Sequence, residues 1–202
     1  TVVLGLGGLV ALGVAGAHQL LEPEIADAAG LRDVRTQMPL AVYSRDGKLI
    51  AQIGEQRRVP VEWKEIPPLL VDAFLAAEDD RFFEHPGVDW QGIVRAAASN
   101  LSAGGVREGG GTSTMQLARN TVLTSERTLR RKLKEAFLAL RLEREFSKQE
   151  ILTLYLNRIF LGQRAYGVGA AAQVHFDKRP AQLGLAEAAL IAGLPRSPSL
   201  DN

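Results

Sequence analysis

The sequence predicts a mostly α-helical protein preceded by a β-hairpin and an apolar N-terminal segment, and three features indicate this fold class. Apolar residues recur with helical spacing almost continuously from Pro68 onward. Two β-prone runs, Leu40–Ser44 and Lys48–Ile53, flank an Asp-Gly dipeptide that is typical of hairpin turns. The run from Val2 to Ala17 carries no charged residue.

The composition limits the classes of function. The chain has 202 residues, enough for one sizeable domain and an appendage. Its formal net charge is only +1, so composition gives no reason to expect nucleic acid as a partner. There is no Cys, which rules out disulfides, thiol catalysis and Cys-type metal sites, and the three His residues lack metal-ligand spacing.

The N-terminal apolar segment predicts a transmembrane helix. It extends over about 20 residues before the first carboxylate, the length that a helix needs to cross the hydrocarbon core of a bilayer. A cleaved signal peptide is the alternative, because Ala15 and Ala17 form an A-x-A-like end. We expect residues 1–21 to be a retained anchor and residues 22–62 to be a juxtamembrane stalk followed by the hairpin linker.

The rest of the chain, residues 63–202, is predicted to be one helical domain. A capping box from Ser147 to Glu150 separates its two longest helices, and Gly-rich stretches at 104–111 and 162–169 are expected to be loops. Periodicity and these breaks predict seven helices, over residues 68–83, 90–102, 113–122, 127–145, 148–161, 167–174 and 184–193.

A glutamate lies on the apolar face of the first predicted helix. The stripe that contains Glu78 is otherwise made of Val71, Phe74, Leu75 and Phe82. A carboxylate on an apolar face loses hydration, which disfavours its charged form and suits it for general-base catalysis. The alternative is that Glu78 ends the buried part of the helix and points to water beside the charged residues that follow it.

The residues after Glu78 resemble a family signature. Residues 78–89 read E-D-D-R-F-F-E-H-P-G-V-D, which fits the E-D-x-x-F-x-x-H-x-G-x-D pattern of the peptidoglycan glycosyltransferases, including the class A penicillin-binding proteins. Several residue types match at fixed offsets, so the resemblance is specific. It implies that Glu78 is catalytic and that Asp79, Phe82 and His85 belong to the substrate site.

A Gly-rich turn leading into a predicted helix resembles the second signature, G-G-S-T-x-T-x-Q-x-x-[KR]-N. Glycines and free N–H groups at a helix start admit an anion, although an ordinary loop before a helix capped by a Ser113–Gln116 box is the alternative. Residues 109–120 read GGGTSTMQLARN, with Gly111 where the family usually has Ser. The resemblance implies substrate-binding roles for Thr112, Thr114, Gln116, Arg119 and Asn120.

Basic residues surround a second glutamate further along the chain. Arg127, Arg131 and Glu135 share one helix face, usually the mark of an exposed ion-pair stripe, but the neighbouring cations exceed what one carboxylate needs. Guanidinium groups bind phosphate oxygens in bidentate fashion, so a pyrophosphate would account for this excess. Arg131, Lys132 and Glu135 resemble the third signature, R-K-x-x-E. The match implies pyrophosphate binding by the three cations, Arg127 included, and a catalytic role for Glu135.

Residues 151–162 resemble a fourth signature of the family, in which Tyr155, Asn157 and Gly162 match. The match implies that Asn157 belongs to the substrate site. The resemblance runs from about residue 39 to residue 197. It implies a lysozyme-like fold with a globular lobe and a membrane-proximal lobe around 93–122.

The implied activity is polymerisation of lipid II into β-1,4-linked glycan strands, by inverting transfer with release of undecaprenyl pyrophosphate. The implied partners are lipid II, the growing lipid-linked glycan, the cytoplasmic membrane and other cell-wall synthesis proteins, and the implied inhibitor is moenomycin. The catalytic domain is expected on the outer face of the inner membrane. The resemblance allows one cofactor, a divalent cation such as Mg²⁺ or Mn²⁺. No S-x-x-K transpeptidase motif occurs, so we expect a shortened form of a bifunctional protein rather than a monofunctional enzyme.

Two other classes of function remain open at this stage. A lysozyme-like hydrolase or lytic transglycosylase also uses an acidic residue in a helical fold, but its neutral leaving groups do not require the Arg/Lys cluster. A membrane-tethered scaffold that binds a cell-wall partner would require neither the glutamates nor the cations.

Overall fold

A computed structural model of the protein describes residues 16, 40–53, 57–105, 109–122 and 128–196. Within these residues the fold is mostly helical, as the sequence predicts. The strands are β1 Leu40–Tyr43, β2 Leu49–Ile53, β3 Arg57–Arg58 and β4 Ala165–Tyr166. The helices are α1 Pro68–Glu78, α2 Trp90–Ser102, α3 Ser113–Val122, α4 Leu129–Glu145, α5 Lys148–Arg158, α6 Val168–Phe176 and α7 Leu185–Gly193.

The predicted anchor and stalk, residues 1–39, lie outside the described residues apart from Gly16. Of the helices that the structure does describe, none combines the length and hydropathy needed to cross a bilayer.

Helix ends agree with the prediction where a local signal marks them. The capping box at Ser147 is present, with its hydroxyl accepting from the backbone N–H of Glu150 and the Glu150 carboxylate accepting from the backbone N–H of Ser147. Thr128 caps α4 by accepting from the N–H of Arg131. Two predicted ends differ from the structure by three residues or more: α1 ends at Glu78 rather than 83, and α5 ends at Arg158 rather than 161.

The early end of α1 has a tertiary cause. Asp79 leaves the helix with φ −160° and ψ 74°, and residues 80–88 form turns. These turns bring Phe82, which is 0% exposed, into the core beneath the end of the helix. An apolar residue in helical register was therefore buried by a turn instead of by the helix.

The strands form two small sheets. β1 and β2 pair antiparallel around the Asp-Gly turn, with Leu40 opposite Ile53. β3 and β4 pair in parallel, with Arg58 opposite Tyr166. The sequence did not predict this second pair, and β4 lies inside the stretch expected to be a loop, because two-residue strands carry too few residues to show a period-2 pattern.

The core lies among the helices. α1 packs against α7, and α3 packs against both α4 and α5. Its largest fully buried side chains include Phe74, Leu117, Leu142, Tyr155 and Ile191. Burying one such aliphatic or aromatic side chain contributes about 1.5–3 kcal/mol. This packing brings the C-terminal end of α1 and the first turns of α3 and α4 to one side of the molecule.

Candidate active site

A cleft of about 720 Å³ opens where these helix ends meet. It contains both predicted catalytic carboxylates and three of the predicted cations. The lining residues are Glu78, Arg95, Gly109, Gly111, Met115, Gln116, Arg119, Arg131, Lys132, Glu135 and Pro195. The first and third signatures, which are far apart in sequence, therefore share one cleft.

Glu78 is the last residue of α1 and is half-buried. Its Oε2 accepts a hydrogen bond from Gln116 Nε2 at 3.0 Å, and Gln116 Oε1 in turn accepts from the Tyr155 hydroxyl at 3.3 Å. The negative end of the α1 dipole disfavours a further negative charge at this position, whereas the cations lining the cleft favour it. The carboxylate thus faces the cleft from a defined position.

The cationic side of the cleft lies at the beginning of α4. Arg131 and Lys132 are in its first turn, which contains no acidic residue. The positive end of a helix dipole normally favours acidic side chains and disfavours basic ones. A helix that begins with clustered cations is therefore poorly arranged for its own stability and well arranged for binding an anion. Arg119, in the last turn of α3, adds a further guanidinium.

Glu135 holds one of these cations. It is 6% exposed, and its Oε1 lies 3.2 Å from Nε of Arg131. A buried carboxylate requires such compensation because burial removes its hydration. The pair orients the Arg131 guanidinium at the edge of the cleft, so Glu135 has a positioning role in this geometry.

The N-terminus of α3 is occupied by the protein itself. The Ser113 N–H donates to Asp79 Oδ2 at 2.8 Å, and Thr112 Oγ1 accepts from the Met115 N–H at 3.2 Å. The expected capping box of Ser113 and Gln116 is therefore wrong: Thr112 supplies the cap, and the Gln116 side chain turns to Glu78. A carboxylate of the protein takes the place that we expected a substrate anion to occupy.

His85 completes this arrangement. Its Nδ1 accepts from the Gly87 N–H at 3.1 Å, so its proton lies on Nε2, which is 3.0 Å from Asp79 Oδ1. Both residues are 8% exposed. The carboxylate of Asp79 thereby joins the turn after α1 to the first turn of α3, and this fixes the end of the helix that carries Glu78.

Another buried network lies behind the Gly-rich turn. The Thr114 hydroxyl donates to Glu143 Oε1 at 2.7 Å, and Lys148 Nζ lies 2.9 Å from the same oxygen. Lys148 also donates to the His85 carbonyl at 2.6 Å and lies 4.4 Å from the centroid of the Phe82 ring. These contacts tie α3, α4 and α5 to the turn that follows Glu78.

Several predicted substrate contacts make hydrogen bonds within the protein. Asn157 makes three backbone hydrogen bonds: its Oδ1 accepts from the Val61 N–H, and its Nδ2 donates to the carbonyls of Val61 and Thr153. Its side chain secures the chain before α1 and does not line the cleft. Phe82, His85 and Thr114 are also buried and do not line the cleft. Asp79 and Thr112 make internal hydrogen bonds as well, but they line a smaller pocket that shares Glu78 and Arg95 with the cleft.

The other predicted site residues lie in the cleft, on the surface of α3 or outside the described residues. Gln116, Arg119, Arg131 and Lys132 line the cleft with the two glutamates. Asn120 is exposed on α3 and is not among the lining residues. Arg127 lies outside the described residues.

The sequence did not identify three cleft-lining residues, Arg95, Met115 and Pro195. Arg95 had a detectable signal, because it is a solitary cation among the apolar and small residues of α2. Tyr155 also had a signal in the sequence, because it matches the fourth signature. In the structure this residue is 1% exposed. Burial raises the pKa of its hydroxyl strongly, and the nearby carboxylates of Glu78 and Asp79 add to this effect.

A further property of the cleft is its capacity to bind a metal ion. Among the described residues, no group of three or more His, Cys, Asp or Glu side chains is arranged to hold a metal ion. Glu78 and Glu135 are the carboxylates that line the cleft. Mg²⁺ is usually bound through one or two carboxylates together with substrate phosphates, so these two residues are the ones that would hold such an ion beside a diphosphate.

Comparisons with known proteins show the family of this chain. A model of the transglycosylase family matches residues 46–202. Penicillin-binding protein 1A of Escherichia coli K12 is 55% identical over 100% of this chain, and that of Pseudomonas aeruginosa is 50% identical over 96%. The chain spans only 23% and 24% of the lengths of these two relatives.

A crystal structure of penicillin-binding protein 1A from Haemophilus influenzae is 36% identical, with a TM-score of 0.42, over 84% of this chain and 16% of that chain. The family assignment rests on the sequence matches. With a family model that covers most of its residues, and with relatives half identical along nearly its whole length, this chain belongs to the transglycosylase family.

Proposed function

We propose that the helical domain, residues 63–202, is a peptidoglycan glycosyltransferase that polymerises lipid II into β-1,4-linked glycan. One observation carries the proposal: Glu78 and the cations Arg119, Arg131 and Lys132 line the same cleft. A reaction in which a hydroxyl attacks a sugar and a diphosphate departs requires these two components together. Family membership supports the same reaction.

In the proposed step, Glu78 accepts the proton of the acceptor sugar's 4-hydroxyl. As that proton leaves, the oxygen forms a bond to C1 of the donor sugar from the face opposite the diphosphate, and the C1–O bond to the diphosphate breaks. The bonding electron pair leaves with undecaprenyl pyrophosphate. This series of bond changes inverts the configuration at C1 and leaves Glu78 protonated and therefore neutral.

The cations act on the leaving group. Negative charge grows on the diphosphate as the C1–O bond breaks, and fixed positive groups stabilise such charge most when they are already oriented. Glu135 orients Arg131, and the Arg131 and Lys132 backbone lies at the positive end of α4. Arg95, which faces the same cleft from α2, supplies a further guanidinium for the diphosphate.

The membrane placement is part of the same proposal. α2 buries only Gly92 and Ala96, and its exposed apolar side chains Trp90, Val94 and Leu101 suit contact with lipid. A substrate with a polyprenyl tail would reach the cleft from that side. We place the domain on the outer face of the inner membrane, held by a retained anchor at residues 1–21.

A peptidoglycan hydrolase or lytic transglycosylase is the alternative. Those enzymes cleave a bond to a neutral sugar, and nothing in that reaction uses a cluster of guanidinium groups beside the acid. The two reactions differ in their products, because a polymerase lengthens glycan strands and a hydrolase shortens them.

The deciding experiment incubates the purified protein with lipid II and measures glycan length and rate. Glu78→Gln keeps the shape and removes the base, so polymerisation is expected to fall about a hundredfold or more. Glu84→Gln, which alters an exposed carboxylate beyond the cleft, serves as the matched control and should retain activity. Near-normal polymer from Glu78→Gln, or strands that shorten with time, would contradict the proposal.

A further inference from the structure

We propose that Tyr155, acting through Gln116, is a positioning residue for the Glu78 carboxylate; this inference rests on the function proposed above. Tyr155 is not among the residues that line the cleft, and it is 1% exposed. The hydroxyl nevertheless reaches the cleft through one intermediary, because it contacts the Gln116 amide that contacts Glu78.

The packing of Tyr155 gives the hydroxyl a defined position. The ring meets Phe74 edge to face, with 6.3 Å between the centroids, and it lies in the main core cluster. Because Tyr155 is on α5 and Gln116 is on α3, the contact joins the central core to the wall of the cleft. A phenol held by a packed ring has little freedom to move away from its partner.

The hydroxyl acts as a hydrogen-bond donor. Burial strongly raises the pKa of Tyr155, so the phenol keeps its proton at neutral pH. The Gln116 Oε1 accepts this proton at 3.3 Å, which leaves the amide Nε2–H directed at Glu78 Oε2. With the amide reversed, two oxygens would face each other, and only protonated Glu78 would tolerate that arrangement.

The chain of contacts therefore favours one state of Glu78. A donor at Oε2 stabilises the charged carboxylate, which is the form that accepts a proton from the sugar hydroxyl. Loss of the donor should leave the carboxylate without a fixed orientation toward the acceptor hydroxyl.

Tyr155→Phe tests the inference, because it removes one oxygen and keeps the ring contact with Phe74. In the lipid II assay, kcat should fall about five- to tenfold with KM within about twofold, since the residue does not touch substrate. Tyr166→Phe is the matched control, because Tyr166 packs against Phe160 and is not among the cleft-lining residues.

A double variant separates positioning from packing. If Tyr155 acts only through Gln116, Tyr155→Phe should have no further effect on kcat in a Gln116→Ala background. Gln116→Ala alone should lower kcat at least as much as Tyr155→Phe, and this measurement stands even where Tyr155→Phe folds poorly.

Two results would overturn the inference: an unchanged kcat for folded Tyr155→Phe, or an undiminished effect of Tyr155→Phe when Gln116 is already Ala. In either case the wild type still polymerises lipid II, so the proposed function is untouched. A wild type that makes no polymer would instead refute the proposed function.

Discussion

The backbone N–H of Ser113 donates a 2.8 Å hydrogen bond to Oδ2 of Asp79, and this contact joins the start of α3 to the residue next to Glu78. Through this contact the Asp79 carboxylate, which directly follows α1, neutralises the positive end of α3. The same carboxylate accepts from His85. The position of the proposed base therefore depends on a contact between two signatures that are separate in sequence.

Asp79→Asn should disturb this contact. Asn offers one oxygen and one NH2 group, so its NH2 group would face the N–H of either Ser113 or His85, and one buried donor would meet another. We expect a loss of about 1–3 kcal/mol in the free energy of unfolding, together with slower polymerisation. Asp80→Asn, at the neighbouring exposed carboxylate, is the control, and equal effects of the two substitutions on chemical denaturation would count against this explanation.

Asp89→Asn should destabilise the protein in a pH-dependent way. Burial acts to raise the pKa of Asp89, but the Gly92 N–H and the Arg81 guanidinium outweigh it and hold the pKa below the ordinary value. A carboxyl whose pKa is lowered by folding stabilises the protein above its unfolded-state pKa, and this stabilisation is lost as pH falls through the folded-state pKa. Asn is an equally good helix cap, so the substitution isolates the contact with Arg81.

At pH 7 the variant should lose about 2 kcal/mol, the size of a hydrogen bond to a charged group. Urea unfolding at pH 7 and at about pH 3 measures the difference, which should be smaller at the lower pH because the unfolded-state carboxyl binds a proton there and the stabilisation is being lost. A constant difference at both values would refute the assignment. Asp72→Asn, at an exposed position on α1, is the control and should stay within about 0.5 kcal/mol of wild type.

Asn157→Ala should affect stability rather than substrate binding. The substitution removes the partner of both backbone groups of Val61, and we expect a loss of about 1–3 kcal/mol in the free energy of unfolding. Folded protein should keep the wild-type KM for lipid II, because Asn157 does not line the cleft. Gln173→Ala, at an exposed amide on α6, is the comparison. A raised KM with unchanged stability would restore the substrate-contact role that the signature suggested.

The two neighbouring glycines of the Gly-rich turn should differ in their tolerance. A Cβ on Gly111 would meet nothing within 4 Å, so Gly111→Ser, which introduces the residue usual in the family, should fold normally and retain activity. A Cβ on Gly110 would lie 2.9 Å from Cγ1 and 3.1 Å from Cα of Ile93. Gly110→Ala should therefore displace the turn and slow polymerisation, and thermal melting with the lipid II assay on both variants checks this contrast.

The sequence determined most of the helices by itself. The ends of α2 and α3 lie at the predicted residues, and α5 begins after the predicted capping box at Ser147. These features are local, since a cap, a Gly-rich break or an apolar period involves residues within a few positions of each other. The four signatures were equally visible, because each is a short run of residue types at fixed spacing.

Only the tertiary structure decided which signature residues face the cleft and which support it. Phe82 and Glu78 share an apolar stripe in the sequence, yet α1 ends between them, and one enters the core while the other faces the cleft. Asn157 and Tyr155 match the same signature, but one secures Val61 and the other reaches Glu78 through Gln116. The physical reason is that burial and hydrogen-bond partners come from residues far away along the chain, which no local spacing encodes.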